Sequence, residues 1–321
     1  LPFDPAAPPG ASDTLSLIVN GQTWTGWQRV SITRAMERMP ANFMIQVTEK
    51  YPSSADIVFN PGDRCQVMIG SDLVITGYID RYQAIVVANN HTVSIFGRSL
   101  SEDLVDCAAF VAQDPSFQSG VSSESFQIMP ATALAIAQQL AQPYNVNIWS
   151  SAGPGVQIPR PFRIAPGETV WEIIDRLLRL SQLVAFDMPD GSVQFAQAGS
   201  ASMASGFQQG VNIEQATVNY SMDQRFQLYE AFVIGTDAFY LGTVQATGAA
   251  SGGSASDNGV PRFRKRIIIS EQSFQGQSIA QARAQWEANR RAARSQSVLI
   301  RCDAWRDQAG TLWDLNHLAP V

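Results

Sequence analysis

Apolar and polar residues alternate through most of the first hundred positions. Residues 14–19, 23–33, 43–47, 65–69, 73–79, 82–87 and 92–96 each repeat with a period near two, which puts successive side chains on opposite faces of a strand. Asn20-Gly21 is a two-residue hairpin signal and Pro61-Gly62 a further turn. Short strands at roughly ten-residue spacing predict a small barrel or sandwich. No helical period precedes residue 99, which argues against an α/β unit here.

The pattern changes over residues 90–109. Val93 and Ile95 lie on one face of the last strand, and Gly97 ends it. Ser99 or Ser101 then predicts a helix cap, with Glu102 and Asp103 in the first turn where the helix dipole favours negative charge. Leu104, Val105, Ala108 and Ala109 form the apolar stripe. Residues up to Pro143 are predicted mainly helical, with a polar loop over 113–125 and a second helix over 131–141. Gly153-Pro154-Gly155 marks a boundary. A helix opening near Glu168 carries Val170, Ile173, Ile174, Leu177, Leu178 and Ser181 on one side. Strands at 183–187 and 192–196 follow, joined at Asp190-Gly191, giving a small α+β module.

After a Ser/Ala/Gly linker over 199–210, strands are expected at 211–220, 225–234, 262–269 and 296–302, with a further β element over 305–313. A helix capped by Ser278 runs to about Arg294, with Ile279, Ala282, Trp286 and Ala293 facing inward. The Gly/Ser/Ala-rich stretch 242–259 predicts a long flexible loop. The fold class is therefore α+β and predominantly β. The divisions are an N-terminal arm 1–13, a first β domain 14–98, a helical insert 99–155, a small α+β module 156–208 and a second β domain 209–321 with the loop 242–259.

Composition adds little except in charge. The chain has 321 residues and a formal net charge of −6, with only 16% charged residues. Residues 262–321 hold ten Lys/Arg against five Asp/Glu, which leaves twelve against twenty-three elsewhere. A basic end on an acidic body fits an acidic partner or nucleic acid, or arginines on a solvated helix face paired with neighbouring carboxylates. The basic run Arg262-Phe263-Arg264-Lys265-Arg266 has one aromatic where a nucleic-acid surface interleaves several. The three cysteines, Cys65, Cys107 and Cys302, lie far apart among apolar neighbours and read as buried free thiols of a reducing compartment. No secretory leader and no apolar run of about 18 residues is present, so no membrane insertion is expected. The absence of an initial Met points to a trimmed N-terminus.

Candidate chemistry is sparse. The two histidines, His91 and His317, have no nucleophile motif beside them, and neither a G-x-S-x-G nor a phosphate-cradling glycine motif occurs. Glu102, Asp103 and Asp106 could form a carboxylate pair for glycoside cleavage, but acids in a first helical turn ordinarily act as dipole partners. Pro166-Gly167-Glu168-Thr169-Val170-Trp171 looks like the opening of a LysM module, a binder of peptidoglycan-type glycans. The same residues serve as a helix start, with Thr169 or Glu168 as cap. The expectation is no enzyme, no cofactor and no metal.

Three stretches resemble the baseplate hub (tail) protein family of Mu-like contractile phages and prophages. They are Gly97-Arg98-Ser99 with Asp103-Leu104-Val105-Asp106, the Pro-Gly-Glu-Thr-Val-Trp helix start, and the late Arg-Ala-x-Trp-Glu helix followed by Gly310-Thr311-Leu312-Trp313 and Asn316. The resemblance spans most of residues 14–321, and hubs of this kind usually continue past the position of Val321. It implies two barrel-like β domains of the tube type, with the helical and LysM-like modules peripheral. It also implies a homotrimeric ring that joins the tail tube protein to a trimeric central spike, encloses the DNA channel without specific binding, and contacts other baseplate proteins. The setting implied is the virion tail baseplate, assembled in the bacterial host cytoplasm. Arg98, Asp103, Arg283, Arg290 and Trp313 are the expected interface residues. The alternative is a peptidoglycan-binding or cell-wall-degrading tail component resting on the 166–197 module. An effector of a contractile injection system is a third reading.

Overall fold

The computed structural model describes residues 13–48, 59–87, 90–110, 127–159, 161–199, 201–234, 250–270 and 276–321. The expected arm 1–13 and the polar loop 113–125 lie outside the described residues apart from Asp13.

The first β domain is a seven-stranded antiparallel sheet. Its strands are β1 (Leu15–Val19), β2 (Gln22–Trp24), β3 (Arg29–Thr33), β4 (Asn42–Thr48), β5 (Arg64–Ile69), β6 (Asp72–Val87) and β7 (Asn90–Ser99), in the order β2-β1-β5-β6-β7-β4-β3. Three expected strands differ. Residues 23–33 do not form one strand: β2 and β3 separate at the turn around Gly26 and end on opposite edges of the sheet. Residues 73–79 and 82–87 form one strand of 16 residues, bent by a bulge between Ile79 and Arg81, which lets a long strand follow a curved sheet. The inward residues of five strands, among them Leu17, Ile45, Val67, Ile79 and Ile95, meet in a single core. The sheet therefore curls over its own apolar face. Its ladder is open, however: among the described residues β2 and β3 are not paired with each other, so the expected barrel does not close by hydrogen bonds.

The chain leaves β7 into α1 (Glu102–Asp106), a single short turn of helix. Ser99 and Ser101 make no cap, because their hydroxyls bond to each other at 3.0 Å and turn to a buried carboxylate, Asp187. β8 (Gln127–Ile128) and β9 (Ala131–Thr132) lead into α2 (Ala133–Ala141), where Thr132 Oγ1 accepts from the Ala135 N–H. β10 (Ile148–Ser150), β11 (Gln157–Ile158) and β12 (Phe162–Arg163) precede α3 (Val170–Ser181). The stretch before α3 is a full capping box: Thr169 caps the Glu172 N–H and Glu172 returns to the Thr169 N–H at 2.8 Å. β13 (Val184–Asp187) and β14 (Val193–Ala196) close the unit, with β10 parallel to β14. Ile136 and Leu140 of α2 share one core with Ile173, Ile174 and Leu177 of α3, so residues on both sides of Gly155 contribute to it.

The remaining elements are β15 (Ala201–Ser202), β16 (Ile213–Tyr220), β17 (Leu228–Ile234), β18 (Ala250–Ser256), β19 (Lys265–Ser270), α4 (Gly276–Arg294), β20 (Gln296–Cys302) and β21 (His317–Leu318). β16 pairs with β20 alone; β17 lies between antiparallel β18 and parallel β19. The expected flexible loop 242–259 is corrected in part: residues 250–256 form β18, and 242–249 lie outside the described residues. Small residues are there for packing. A Cβ on Gly253 would sit 2.1 Å from the Gln281 amide of α4, and Gln281 bonds both polar backbone groups of Ser254. The inward face of α4 is likewise rotated from expectation. Ile279 is buried as expected, but Ala280, Ala284 and Ala288 form the row on the sheet while Ala293 is exposed and Trp286 sits at the rim, because only a small-residue row fits over the glycines of β18. Residues 305–313 form a single bridge, Arg306 to Leu312, in place of a strand.

Candidate functional site

Several charged clusters lie where one module meets another. At the end of β7, Arg98 binds Asp80 through two contacts of 2.6 and 3.1 Å, Asp106 at 2.8 Å and Glu102 at 3.2 Å. Four carboxylates, counting Asp103 in the same first turn, thus crowd one guanidinium. Burial, then the charge of Asp80, pushes the Glu102 carboxyl up to about 8, and Arg98 opposes this without prevailing. Glu102 therefore favours the protonated form at neutral pH, hydrogen-bonded to the Asp80 carboxylate.

Asp187, at the end of β13, is the second junction. Its Oδ2 accepts from the Ala41 N–H at 2.6 Å and the Ser99 hydroxyl at 2.9 Å, and Ser101 donates as well. Ala41 and Ser99 belong to the first β domain, so one buried carboxylate ties the α+β unit to it. Burial raises the Asp187 pKa in spite of these donors. Arg34 bridges the Asp187 carbonyl and the Asp314 carboxylate, bringing in the C-terminal segment.

A third junction joins α4 to the loop after β3. Glu37, at a φ of +59°, accepts a two-pronged bond from Arg290 (3.0 Å) and a contact from Arg294. The guanidinium groups of Arg283 and Arg290 are each 5.0 Å from the Trp286 ring. Arg283 and Arg291 both bind Glu287, whose carboxyl is lowered by these two partners despite burial. Fourth, Arg306 fastens the C-terminal segment to the first domain through Asp13 (2.8 Å), Asp72 (2.6 Å) and the Ile69 carbonyl.

Apolar residues show the opposite distribution. β16 and β20 form a ribbon with exposed side chains on both faces. Val218 pairs with Val298 on one face and Thr217 with Leu299 on the other; Tyr220 and Leu299 are 74% and 73% exposed. The sheet face turned away from α4 exposes Ile267 and Ile269, in register with Glu230 and Phe232. An isolated two-stranded ribbon is marginal in water, and apolar faces of this kind mark interaction sites.

Comparison with known proteins decides the family. Residues 14–99 match the family described as Mu phage baseplate assembly protein GpP-like, N-terminal, and residues 101–197 match the second domain of the gp44-like baseplate hub proteins. The chain is 30% identical over 330 residues to the baseplate hub protein gp44 of Escherichia phage Mu, covering 97% of this chain and 79% of that protein. It belongs to the baseplate hub family of Mu-like phages. The 43 kDa tail protein of prophage MuSo2 from Shewanella oneidensis has a similar structure, with a TM-score of 0.78 and 27% identity, covering 96% of this chain and 88% of that one. A tail protein from Neisseria meningitidis MC58 shares the fold, with a TM-score of 0.69 at 20% identity over 94% of this chain and 84% of that one.

As a member of the hub family the chain carries a tail-baseplate role, and its expected interface residues can be placed. Arg98 is held by its carboxylates, Arg283 by Glu287 and Arg290 by Glu37. Trp313 stacks on Phe207 at 4.3 Å and donates its indole N–H to the Ala304 carbonyl. Asp103 lies in the first turn of α1, beside Arg98. The structure brings Asp103 next to Arg98 and puts Arg283 and Arg290 together at Trp286, while Trp313 sits apart. Of the three cysteines, Cys65 is buried, its thiol pushed up to about 12 chiefly by burial, while Cys107 and Cys302 are half-buried, which corrects the expectation of three buried thiols. Asp187, Glu37 and Arg306 were not anticipated. Asp187 follows the apolar run Val184-Ala185-Phe186 and precedes a turn, where an acidic residue ordinarily faces water.

Proposed function

We propose that this hub-family chain forms a homotrimeric ring in a contractile phage or prophage tail. The ring joins the tail tube to a trimeric central spike, encloses the channel through which DNA leaves, and is assembled in the host cytoplasm with other baseplate proteins. The role is mechanical and structural rather than enzymatic.

The observation that carries this reading is the β16–β20 ribbon, exposed on both faces in a chain of this family. Covering Leu299, Val218 and Tyr220 is worth about 1.5–3 kcal/mol for each side chain fully buried, and a ring supplies the neighbour that covers them. In this reading Arg98, Asp103, Arg283, Arg290 and Trp313 act at interfaces by fixing the modules whose outer surfaces meet other subunits. An overall charge of −6 disfavours adhesion of DNA phosphate in the channel.

Native mass by light scattering on a sizing column tests it. A trimer is expected, stable across concentration, and Leu299→Asp with Val218→Asp should dissociate it while leaving the circular dichroism of the monomer intact. A wild-type monomer at every concentration refutes the ring.

A further inference from the structure

Among the described residues the chain carries two unlike exposed β faces. On the β16–β20 ribbon, Ala216, Val218 and Tyr220 alternate on one face, opposite Ile300, Val298 and Gln296, and none of the six is charged. Ile300 lines a cavity with Ile32 and Val74 of the first domain. Val218, Val298 and Tyr220 lie further along the ribbon and are 53%, 45% and 74% exposed. The reverse face carries Gln215, Thr217 and Asn219 opposite Arg301, Leu299 and Ser297, with leucine as its one large apolar residue. The ribbon therefore has a distinct apolar side.

The second face belongs to the sheet β18-β17-β19. Tyr229, Ala231 and Ile268 are buried in one core with Ala280 and Ala284 of α4. Alternation turns Ile267 and Ile269 the other way, where they are 59% and 69% exposed, with Phe232 in register with Ile269. The charges on that side, Lys265 and Glu230, neutralise each other at 2.7 Å. Neither face thus sets an unpaired charge against an apolar neighbour, which would be costly to bury. The two faces do not cover each other within a chain, since Val218, Tyr220, Ile267 and Ile269 are all exposed.

We propose that the face bearing Val218, Tyr220 and Val298 in one copy lies on the face bearing Ile267 and Ile269 in the next copy. This rests on the ring reading and names the surfaces that meet in it. A ring is closed by head-to-tail contacts, in which a patch meets a different patch on its neighbour. A ribbon-on-ribbon contact would be twofold instead: it stops at two chains and leaves Ile267 and Ile269 in water. Stacked sheets interdigitate side chains at a spacing of about 10 Å. β16 has eight residues and β19 six, so the stacked strands overlap over most of their length.

The test uses the full chain. One preparation carries Val218→Asp with Val298→Asp, and another carries Ile267→Asp with Ile269→Asp. All four positions are exposed, and circular dichroism checks that each variant folds. Each alone is expected to be a monomer by light scattering. Their equimolar mixture should form a complex of two chains, one of each kind, and nothing larger, because a single intact pair of faces remains. In a second measurement, a chain with Val218→Cys and Ile267→Cys is treated with a short bismaleimide; chains joined covalently on a denaturing gel, with 218 linked to 267, are expected. A mixture that stays monomeric, or links of 218 to 218, would overturn the contact. A sheet variant that stays trimeric like the wild type would overturn the contact and leave the ring standing. A wild-type monomer at every concentration would overturn both.

Discussion

Replacing Asp187 is the sharpest test of how the modules are joined. Asp187→Ala removes the acceptor for the Ala41 N–H and for the Ser99 and Ser101 hydroxyls. The two serines keep their mutual bond, so the principal loss is the buried Ala41 amide, worth about 1–3 kcal/mol when left unpaired. The emptied carboxylate volume adds to this. A loss near 2 kcal/mol makes local opening about 30-fold more frequent. Exchange mass spectrometry should show that acceleration over 36–45 and 184–196, with α4 unaffected.

Asp187→Asn separates charge from hydrogen bonding. It keeps an oxygen for Ala41 and costs less than alanine at neutral pH. The folded pKa of Asp187 lies above the ordinary 3.8. The folded state therefore binds its proton more tightly than the unfolded chain does. The stability this group contributes is complete below the ordinary value and is lost as pH rises through the folded value, at up to about 1.4 kcal/mol per pH unit. Acidification from pH 7 toward 4.5 should accordingly stabilise the wild type relative to Asp187→Asn, measured as the difference in Tm. Other titrating groups are common to both proteins and cancel. An alanine variant with wild-type exchange, or a Tm difference between wild type and Asn variant that ignores pH, would refute the assignment of Asp187 as the tie.

Three further outcomes follow from the same geometry. With Glu102 held at about 8, the wild type loses stability as pH rises from about 4.5 to about 8; Glu102→Gln, which can still donate to Asp80, should remove that part of the slope in Tm measured from pH 5 to 9. Glu37→Ala strands Arg290 and Arg294 and should cost about 1 kcal/mol for a partly exposed pair, seen as faster exchange at the C-terminal end of α4; Arg290→Lys should not match the wild type, since lysine lacks the two-pronged fork. Gly253→Val drives a side chain into the Gln281 backbone at 2.1 Å and should cost about 3 kcal/mol or more, lowering the Tm, while Gly252→Ala, 3.4 Å from the Phe232 ring, should be tolerated.

The strands of the first domain were legible because one face is apolar and the period is two: Leu17, Ile45, Val67 and Ile95 all point where alternation puts them. Their partners were not, since a turn at Gly26 looks the same whether the next strand pairs locally or crosses to the far edge. α3 was legible at both ends because its cap and stripe are local. α4 was not, because the rule that large apolar residues face inward fails over glycine: Ala280 and Ala284 fit against Gly253 and Trp286 does not. The same glycines made β18 look like a loop. The junctions were hidden for a different reason. Glu37 and Arg290 are 253 positions apart, and no local pattern distinguishes an arginine that meets such a partner from one facing water.

Where charge and apolar surface lie indicates which parts of the chain are self-sufficient. In an isolated globular protein, charges coat the outside and apolar residues fill the inside. Here Arg98, Arg225, Arg283, Arg290 and Arg306 are each bound to carboxylates within the chain, and two of them, Arg290 and Arg306, link elements 253 and 293 positions apart. Exposed isoleucine, leucine, valine and tyrosine are most concentrated on β16, β19 and β20 among the described residues. Guanidiniums paired across module boundaries, Arg290 on Glu37 and Arg306 on Asp13 and Asp72, resist sliding of one module on another, and a shift would also strip the buried Asp187 carboxylate of its Ala41 and Ser99 donors. The modules are thus tied to one another within the chain. The exposed strands gain most of their burial only from another chain. In the ring proposed for this hub-family chain, those strands are the surface that a neighbouring subunit would cover.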